Sequence, residues 1–117
     1  MDEAIRPVIW MGDSRKQVRD FPPEVRRSVG AALYDAQKSE KAPSAKAFKG
    51  IGSGVFEIAL RFDTDAYRVV YAVQIGNRVY VLHAFQKKSK SGIATPKPDV
   101  DLIEKRYKQA LDMETVT

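Results

Sequence analysis

The stretch VFEIALRFDTDAYRVVYAVQIGNRVYVLHAF, residues 55–85, decides the fold of this chain. In residues 55–62 every second position, from Phe56 onward, holds a large apolar residue, and the positions between them include Glu57 and Arg61. This alternation is typical of a strand that buries one of its two faces. The pattern therefore predicts a half-buried strand over residues 55–62.

Two more strands are predicted in the same stretch. Residues 67–75 and 78–85 are rich in Val, Tyr and other residues that favour strands. The connections, at 63–65 and at Gly76-Asn77, are short and contain residues that form turns. Because strands joined by such short connections pair antiparallel, the stretch predicts a three-stranded antiparallel meander.

Four segments outside the meander have the pattern of regular structure: a short strand at 6–11, helices at 14–20 and 24–38, and a last helix at 98–113. The second helix places Val25, Val29 and Leu33 on one stripe, and Phe21-Pro22-Pro23 separates it from the first, which predicts a helical hairpin. Residues 39–54 are polar and predict a loop. The order β-α-α-β-β-β-α predicts an α+β fold, a small antiparallel sheet with its helices packed on one face.

The composition fits a single domain over residues 1–117. The chain has no cysteine and one histidine, which excludes disulfides and thiol nucleophiles and argues against zinc, so no metal and no cofactor are predicted. No apolar run approaches the ~20 residues that span a bilayer. The N-terminal MDEAIRPVIW is too acidic for a signal peptide, so the expected location is the cytoplasm.

A basic segment follows the meander. Lys87, Lys88, Lys90 and Lys97 fall in a stretch without Asp or Glu, and they account for most of the formal net charge of +5. Concentrated positive charge favours a polyanionic partner, with RNA as the leading candidate. A charged loop that is merely solvated is the ordinary alternative.

His83, the lone histidine, precedes this basic segment. An imidazole titrates near neutral pH and can give or take a proton in catalysis. Strand alternation groups His83 with Val79, Val81 and Phe85, but the opposite side of the strand is apolar too. The pattern leaves open whether His83 faces the helices or the open side of the sheet, and whether its role is catalytic or structural.

Charged residues on the neighbouring strands extend the candidate site. Glu57 is a candidate general base and Arg61 a candidate for stabilising a pentacovalent phosphate, with a simple cross-strand ion pair as the alternative. If the apolar residues that alternate with Arg68 point inward, Arg68 shares the open sheet face with Arg61, where its planar guanidinium suits phosphate. Lys46 and Lys49 join this patch if their loop meets the basic segment at one end of the sheet.

In combination these segments resemble a known family. The chain carries AKAFKG at 45–50, GVFEIALRF at 54–62, AYRVVYAV at 66–73 and VYVLHAFQKKSKSGIATPKPDVDLI at 79–103. It thereby resembles the RelE/ParE superfamily of toxins from type II toxin–antitoxin modules, and within it the HigB-like, phage-related branch. The resemblance covers residues 6–111, and LHAFQKKS followed by TP is its most specific part.

The resemblance implies a twisted antiparallel sheet with the helical hairpin on one face. It also implies a metal-independent endoribonuclease that cuts mRNA in the ribosomal decoding site. In that reaction the RNA 2′-hydroxyl attacks the adjacent phosphate, and basic residues stabilise the developing charge. The implied partners are the ribosome, mRNA and a cognate antitoxin, often with a helix-turn-helix domain; no membrane partner is implied.

Residue by residue, the resemblance assigns part of the site. Arg68 matches the arginine of the family's YRLVY-like strand, Lys87 matches a catalytic basic position, and His83 matches a position that is frequently His in this branch. The lysines expected to bind RNA, of which the first two match the polar loop before the second strand, are Lys46, Lys49, Lys88 and Lys90.

The chain also departs from the family pattern. Glu57 and Ala59 stand where RelE-like members carry paired lysines, so those roles are not transferred. Tyr107, on the last helix, is predicted to pack, whereas many members end with a catalytic Tyr or His. The general base therefore stays open between His83 and Glu57, and Arg61 joins the phosphate-binding groups.

Two other functions remain as alternatives at this stage. A ParE-like toxin has the same fold and inhibits DNA gyrase. A non-catalytic nucleic-acid-binding module would use the lysine-rich segment as its footprint and would bind in a salt-dependent manner without cleavage.

Overall fold

A computed structural model describes residues 5–87 and 95–115 of the chain. In chain order its elements are β1 (Val8–Trp10), α1 (Ser14–Arg19), α2 (Pro23–Gln37), β2 (Ala45–Ala47), β3 (Val55–Phe62), β4 (Asp65–Ile75), β5 (Arg78–Lys87) and α3 (Lys97–Thr115). The fold is α+β, as the sequence predicts, with a helical pair near the N-terminus and one helix near the C-terminus.

The five strands form one sheet in the order β1-β5-β4-β3-β2. The antiparallel meander of β3, β4 and β5 is confirmed. β1, however, pairs parallel with β5, so that Val8 lies opposite Val79, and the sheet is mixed rather than wholly antiparallel. A parallel neighbour needs a long crossover, and the helices between β1 and the meander supply it.

β2 was not expected, because it lies inside the polar segment predicted to be a loop. It consists of Ala45, Lys46 and Ala47, none of which is a strong strand former. Its extended conformation comes from pairing with β3, where Lys46 lies opposite Glu57. The partner strand, rather than local preference, makes this segment a strand.

One face of the sheet is covered by α1 and α2. The apolar stripe of α2, including Val29 and Leu33, packs with Val69 and Tyr71 of β4 in one buried cluster. Phe21, between the two helices, meets Tyr67 edge to face with ring centroids 4.9 Å apart. Burial of this apolar surface is the main contribution to the stability of the fold.

The opposite face is covered in part by α3, so the expectation that all helices pack on one face is wrong. Ile103 and Ala110 of α3 are buried against Val70, Leu82 and other residues of the meander. The reason is visible in the strands: β4 and β5 are apolar on both sides, and each side needs a cover.

Polar contacts fix the direction of α3. Arg106 donates one hydrogen bond to the Leu82 carbonyl and one to Asp13, both at 3.0 Å. Near the end of the helix Glu114 accepts hydrogen bonds from Tyr80 and, at 2.7 Å, from Arg78. α3 therefore runs antiparallel along β5 toward Arg78, and the Lys87 end of β5 lies beyond its first turn.

Two turns of the chain contain residues with positive φ. Gly12 has a φ of +53°, and a Cβ there would lie 2.3 Å from the Arg106 guanidinium. The β3–β4 connection is a two-residue turn in which Asp63 and Thr64 have φ of 53° and 68°, the geometry that matches the twist of paired strands.

Across the described part of the chain, the helices lack the combination of length and apolarity that crossing a bilayer requires.

Candidate active site

Strand register collects the predicted charged residues on one face of the sheet, the face that α3 partly covers. In one row Lys46, Glu57, Val70 and His83 lie opposite one another across β2 to β5. Two residues further along comes the row Ala59, Arg68 and Phe85, and then the row Arg61, Ala66 and Lys87. Residues opposite one another share a face, and so do residues two apart. We call this set of three rows the charged face.

His83 reaches the charged face through an irregularity that strand alternation cannot show. The register between β4 and β5 shifts after Val70, which pairs with His83, while the next residue, Tyr71, pairs with Val81. A β-bulge of this kind adds one residue to one strand and changes which side its later residues face. His83 therefore shares a side with Phe85 and Leu82, whereas Val81 packs on the α2 side.

Glu57 and Arg68 form a buried ion pair at the centre of the charged face. Arg68 Nη1 donates to Glu57 Oε2 at 2.5 Å, and the two side chains are only 12% and 6% exposed. The residues occupy adjacent rows, so the contact is the diagonal cross-strand kind. The pair holds the Arg68 guanidinium in one orientation and leaves its Nε without a partner among the described residues.

Arg61 is an exposed cation of the charged face. A shallow cleft of about 290 Å³ lies beside it, lined by Arg61 and Arg68 with Ala59 and Ala66 between them. The two alanines keep this space open, because larger side chains at their positions would fill it. Two arginines that line one open cleft suit a phosphate, since a guanidinium offers several donors in a plane.

Lys87 is the last residue of β5 and lies in the same row as Arg61. The strand extends two residues beyond its predicted end at Phe85, which moves Lys87 from the loop to the sheet. Lys87 is largely buried, while Lys46, in the Glu57 row, is exposed. The cations of the charged face thus line it from the β2 edge to the open end of β5.

The His83 ring is held on two sides. Its Nε2 lies 2.7 Å from Asp99 Oδ1, in the first turn of α3. Its plane stacks on Phe85, with centroids 4.9 Å apart and 22° between the planes. The imidazole is 9% exposed, and its Nδ1 has no hydrogen-bond partner within residues 5–87 and 95–115.

Some of the predicted residues do not join this group, and one residue was missed. Lys49 follows β2 on the side away from the Arg61 row, so the register places it toward the other end of the sheet from Lys87. Lys88 and Lys90 lie outside the described residues. Asp99 was not among the predicted site residues; an acid in the first turn of the helix that follows the His83 strand is the signal that could have found it.

Two carboxyl groups at the contacts of α3, Glu114 and Asp13, have pKa values lowered by their hydrogen bonds. The hydrogen bond from Tyr80, followed by the charge of Arg78, lowers the pKa of Glu114 below its ordinary value. The pKa of Asp13 is lowered by a hydrogen bond from Gln17 and by Arg106.

No cluster of three or more His, Cys, Asp or Glu with metal-binding geometry occurs within the described residues.

Comparison with known proteins agrees with this architecture. Residues 16–108 match the family described as Phage derived protein Gp49-like (DUF891). The chain belongs to this family. The crystal structure of the isolated E. coli RelE toxin superposes on it with a TM-score of 0.56 and 18% sequence identity, covering 86% of this chain and 97% of that one. No protein of curated function matches the sequence.

These matches confirm the superfamily resemblance seen in the sequence. The Gp49-like family assignment covers most of the chain, including every residue of the charged face, and the structural match establishes the RelE fold. The assignment of individual catalytic and RNA-binding residues stays a prediction. The strand register shows which of these residues share the charged face.

Proposed function

We propose that this Gp49-like protein is the toxin of a type II toxin–antitoxin module and acts as a metal-independent, ribosome-associated mRNA endoribonuclease in the cytoplasm. One observation carries the proposal. The strand register places three cations, Arg61, Arg68 and Lys87, on one sheet face with two groups that can accept a proton, Glu57 and His83. Cations beside a base are what phosphodiester cleavage by an internal hydroxyl requires.

The proposed step forms a bond between the RNA 2′-oxygen and the adjacent phosphorus and breaks the bond from phosphorus to the 5′-oxygen. The proton of the 2′-hydroxyl goes to the general base, and the leaving 5′-oxygen takes up a proton from a general acid. The products are a 2′,3′-cyclic phosphate and a 5′-hydroxyl end. No metal or redox partner enters this balance.

Each cation has a place in this step. Arg61 and Arg68, which both line the cleft, bind the scissile phosphate and stabilise the charge that develops on it. Lys87, in the Arg61 row, protonates the leaving oxygen or adds to the charge stabilisation. The base is His83 or Glu57, and the Glu57 carboxylate is already committed to Arg68 at 2.5 Å.

The remaining lysines extend the RNA path in this proposal. Lys46 is exposed at the β2 edge of the charged face, where it can contact a phosphate of the bound strand. Lys49, Lys88 and Lys90 are assigned the same role from the sequence. The cognate antitoxin, with a helix-turn-helix domain, neutralises the toxin in this proposal.

The test is induced expression followed by mapping of mRNA ends. We expect new 5′-hydroxyl ends within coding regions for the wild type and a loss of about 100-fold or more in cleavage for Arg61→Ala, as for removal of one transition-state donor. Arg27→Ala is the matched control, because Arg27 is an exposed arginine on α2, on the other side of the sheet.

Other results would contradict the proposal. Intact transcripts together with a block of DNA gyrase would indicate a ParE-like toxin. Salt-dependent RNA binding without new ends would indicate a non-catalytic binding module. Equal cleavage by the wild type and by Arg61→Ala would exclude Arg61 from the mechanism.

A further inference from the structure

We infer that Asp99 is a positioning residue that holds His83 in the tautomer and orientation of a general base. The inference rests on the proposed function, because it names which of the two candidate bases acts and what prepares it. Asp99 itself contacts His83, not the RNA. Its carboxylate oxygen Oδ1 lies 2.7 Å from Nε2 of the imidazole.

This contact fixes the position of the imidazole proton. An ionised carboxylate can only accept hydrogen bonds. Nε2 therefore carries the imidazole proton and donates a hydrogen bond to Asp99. In the neutral imidazole the lone pair is then on Nδ1, which becomes the basic atom. Nδ1 is closed off from solvent and has no hydrogen-bond partner among residues 5–87 and 95–115.

A buried acceptor without a partner costs free energy and calls for an explanation. A role in catalysis supplies one, since the ribose 2′-hydroxyl is then the partner of Nδ1 in the RNA complex. Phe85 stacks on the ring and Asp99 holds one edge, so Nδ1 is the edge left for substrate. The imidazole is thus oriented before RNA binds.

The position of Asp99 depends on α3 being fixed along β5. Asp99 lies in the first turn of the helix, and Arg106, about two turns further, donates to the Leu82 carbonyl next to His83 in the chain. The helix therefore places the carboxylate beside the His83 ring. Glu57 has no comparable freedom to act, because its carboxylate is paired with Arg68 at 2.5 Å.

In the proposed step the 2′-hydroxyl proton passes to Nδ1 as the 2′-oxygen bonds to phosphorus. The ring then carries a positive charge, and the Asp99 carboxylate on Nε2 stabilises it. The proton of Nε2 stays where it is. Asp99 thus contributes to the transition state without touching the reacting atoms.

The lone histidine makes this inference directly measurable. Nitrogen-15 NMR of the uniformly labelled full chain reports a single imidazole, and we expect the Nε2-protonated tautomer in the wild type. Asp99→Asn should shift the ring toward the Nδ1-protonated form, because an amide can donate to Nε2. On ribosome-bound mRNA the same variant should lower kcat by about 100-fold or more with KM nearly unchanged. Asp99→Glu should recover part of both.

Asp101→Asn is the matched control. Asp101 lies one residue beyond Val100 on the same helix, is exposed, and pairs with Lys97 at 3.1 Å rather than with the sheet. This variant should keep the wild-type tautomer and the wild-type kcat. Thermal melts of each variant verify that the fold is retained.

Two results would overturn the assignment. An unchanged tautomer in Asp99→Asn would show that Asp99 does not set the ring. A shifted tautomer with the kcat of the Asp101→Asn control would show that Nδ1 is not the base. Both differ from failure of the proposed function, in which the wild type itself cuts no RNA whatever the tautomer.

Discussion

The two faces of the sheet are covered in different ways. On the first face α1 and α2 bury a continuous apolar cluster that includes Val29, Leu33 and Tyr71. On the second face α3 fully buries Ile103 and Ala110 among its 19 residues, and Tyr107 packs there partly buried, as predicted. Hydrogen bonds such as that from Arg106 to the Leu82 carbonyl also attach the helix. The charged face belongs to this second side.

This difference between the two faces indicates that one mainly stabilises the fold and the other mainly positions individual side chains. Apolar burial is strong and non-directional, so it stabilises the fold without fixing any one atom. Hydrogen bonds and ion pairs contribute little net free energy but demand specific geometry. The first face therefore provides a platform, and the second holds particular groups, such as Arg68 and His83, in place for chemistry.

The largest effect should follow from breaking the first face. Phe21→Ala removes a buried ring that packs on Tyr67, and we expect it to lower the free energy of unfolding by about 4 kcal/mol, the transfer and cavity cost of a buried Phe. Urea titration followed by circular dichroism measures the loss. Tyr34→Ala, which removes an exposed aromatic from the adjacent helix, should cost about 0.5 kcal/mol or less. Equal losses would refute the assignment of stability to this cluster.

A smaller but still large effect is expected at the buried ion pair. Glu57→Ala leaves the Arg68 guanidinium without its counter-charge, and we expect a loss of about 3 kcal/mol because an uncompensated charge is then buried. The measurement is the same urea titration. The control is Glu24→Ala, an exposed acid in the first turn of α2.

A second variant shows whether the loss comes from the stranded charge. Adding Arg68→Met to Glu57→Ala removes both partners and should return most of the stability, because a buried pair is often no more stabilising than apolar residues of similar size. If the double variant is as unstable as the single one, cavity formation rather than charge explains the loss.

The sequence predicted the meander and α2 more accurately than it predicted β2 and the packing of α3. The meander and α2 have strong periodic patterns, and both were predicted within a few residues. β2 was missed because Ala45, Lys46 and Ala47 have no strand preference of their own. The side chosen by α3 was also wrong, since an amphipathic stripe shows that a helix packs and not against which face.

The candidate site depended on features that no local pattern contains. Strand alternation alone could not orient His83. The bulge between β4 and β5 next to the Val70–His83 pair changes the sheet face toward which the residues of β5 point. Glu57 and Arg68 were each named, and an ion pair was considered, but their contact needs the register between β3 and β4. Asp99 meets His83 through tertiary packing of α3, which sequence spacing does not determine.

A moderate effect should follow from loosening α3 on the second face. Arg106→Lys keeps the charge but loses the planar fork that reaches both Leu82 and Asp13, so we expect a loss of about 1.5 kcal/mol. Hydrogen exchange should show α3 amides exchanging faster while those of α2 are unchanged. Arg27→Lys, on the exposed side of α2, is the control. A uniform loss of protection in both helices would mean that α3 and the platform open together.

The smallest effect is a pH dependence of the contacts that hold α3. Contacts with Tyr80 and Arg78 lower the pKa of Glu114 below 4.5, and Gln17 and Arg106 lower the pKa of Asp13 below 3.8. A carboxyl whose pKa is lower in the folded state stabilises folding above its ordinary pKa, and this contribution disappears as the pH falls through the lowered value. Below about pH 4.5, NMR signals of α3 should therefore shift or broaden before those of α2.

Glu114→Gln removes one of the two titrating groups and isolates the cause. In this variant the acid-induced change at the C-terminal half of α3 should be reduced, while the change near Asp13 remains. If α2 and α3 instead lose their signals together at every pH, the two faces are one cooperative unit. The positioning of Asp99 against His83 would then be only as labile as the whole fold, and α3 would not be a separately adjustable part of the site.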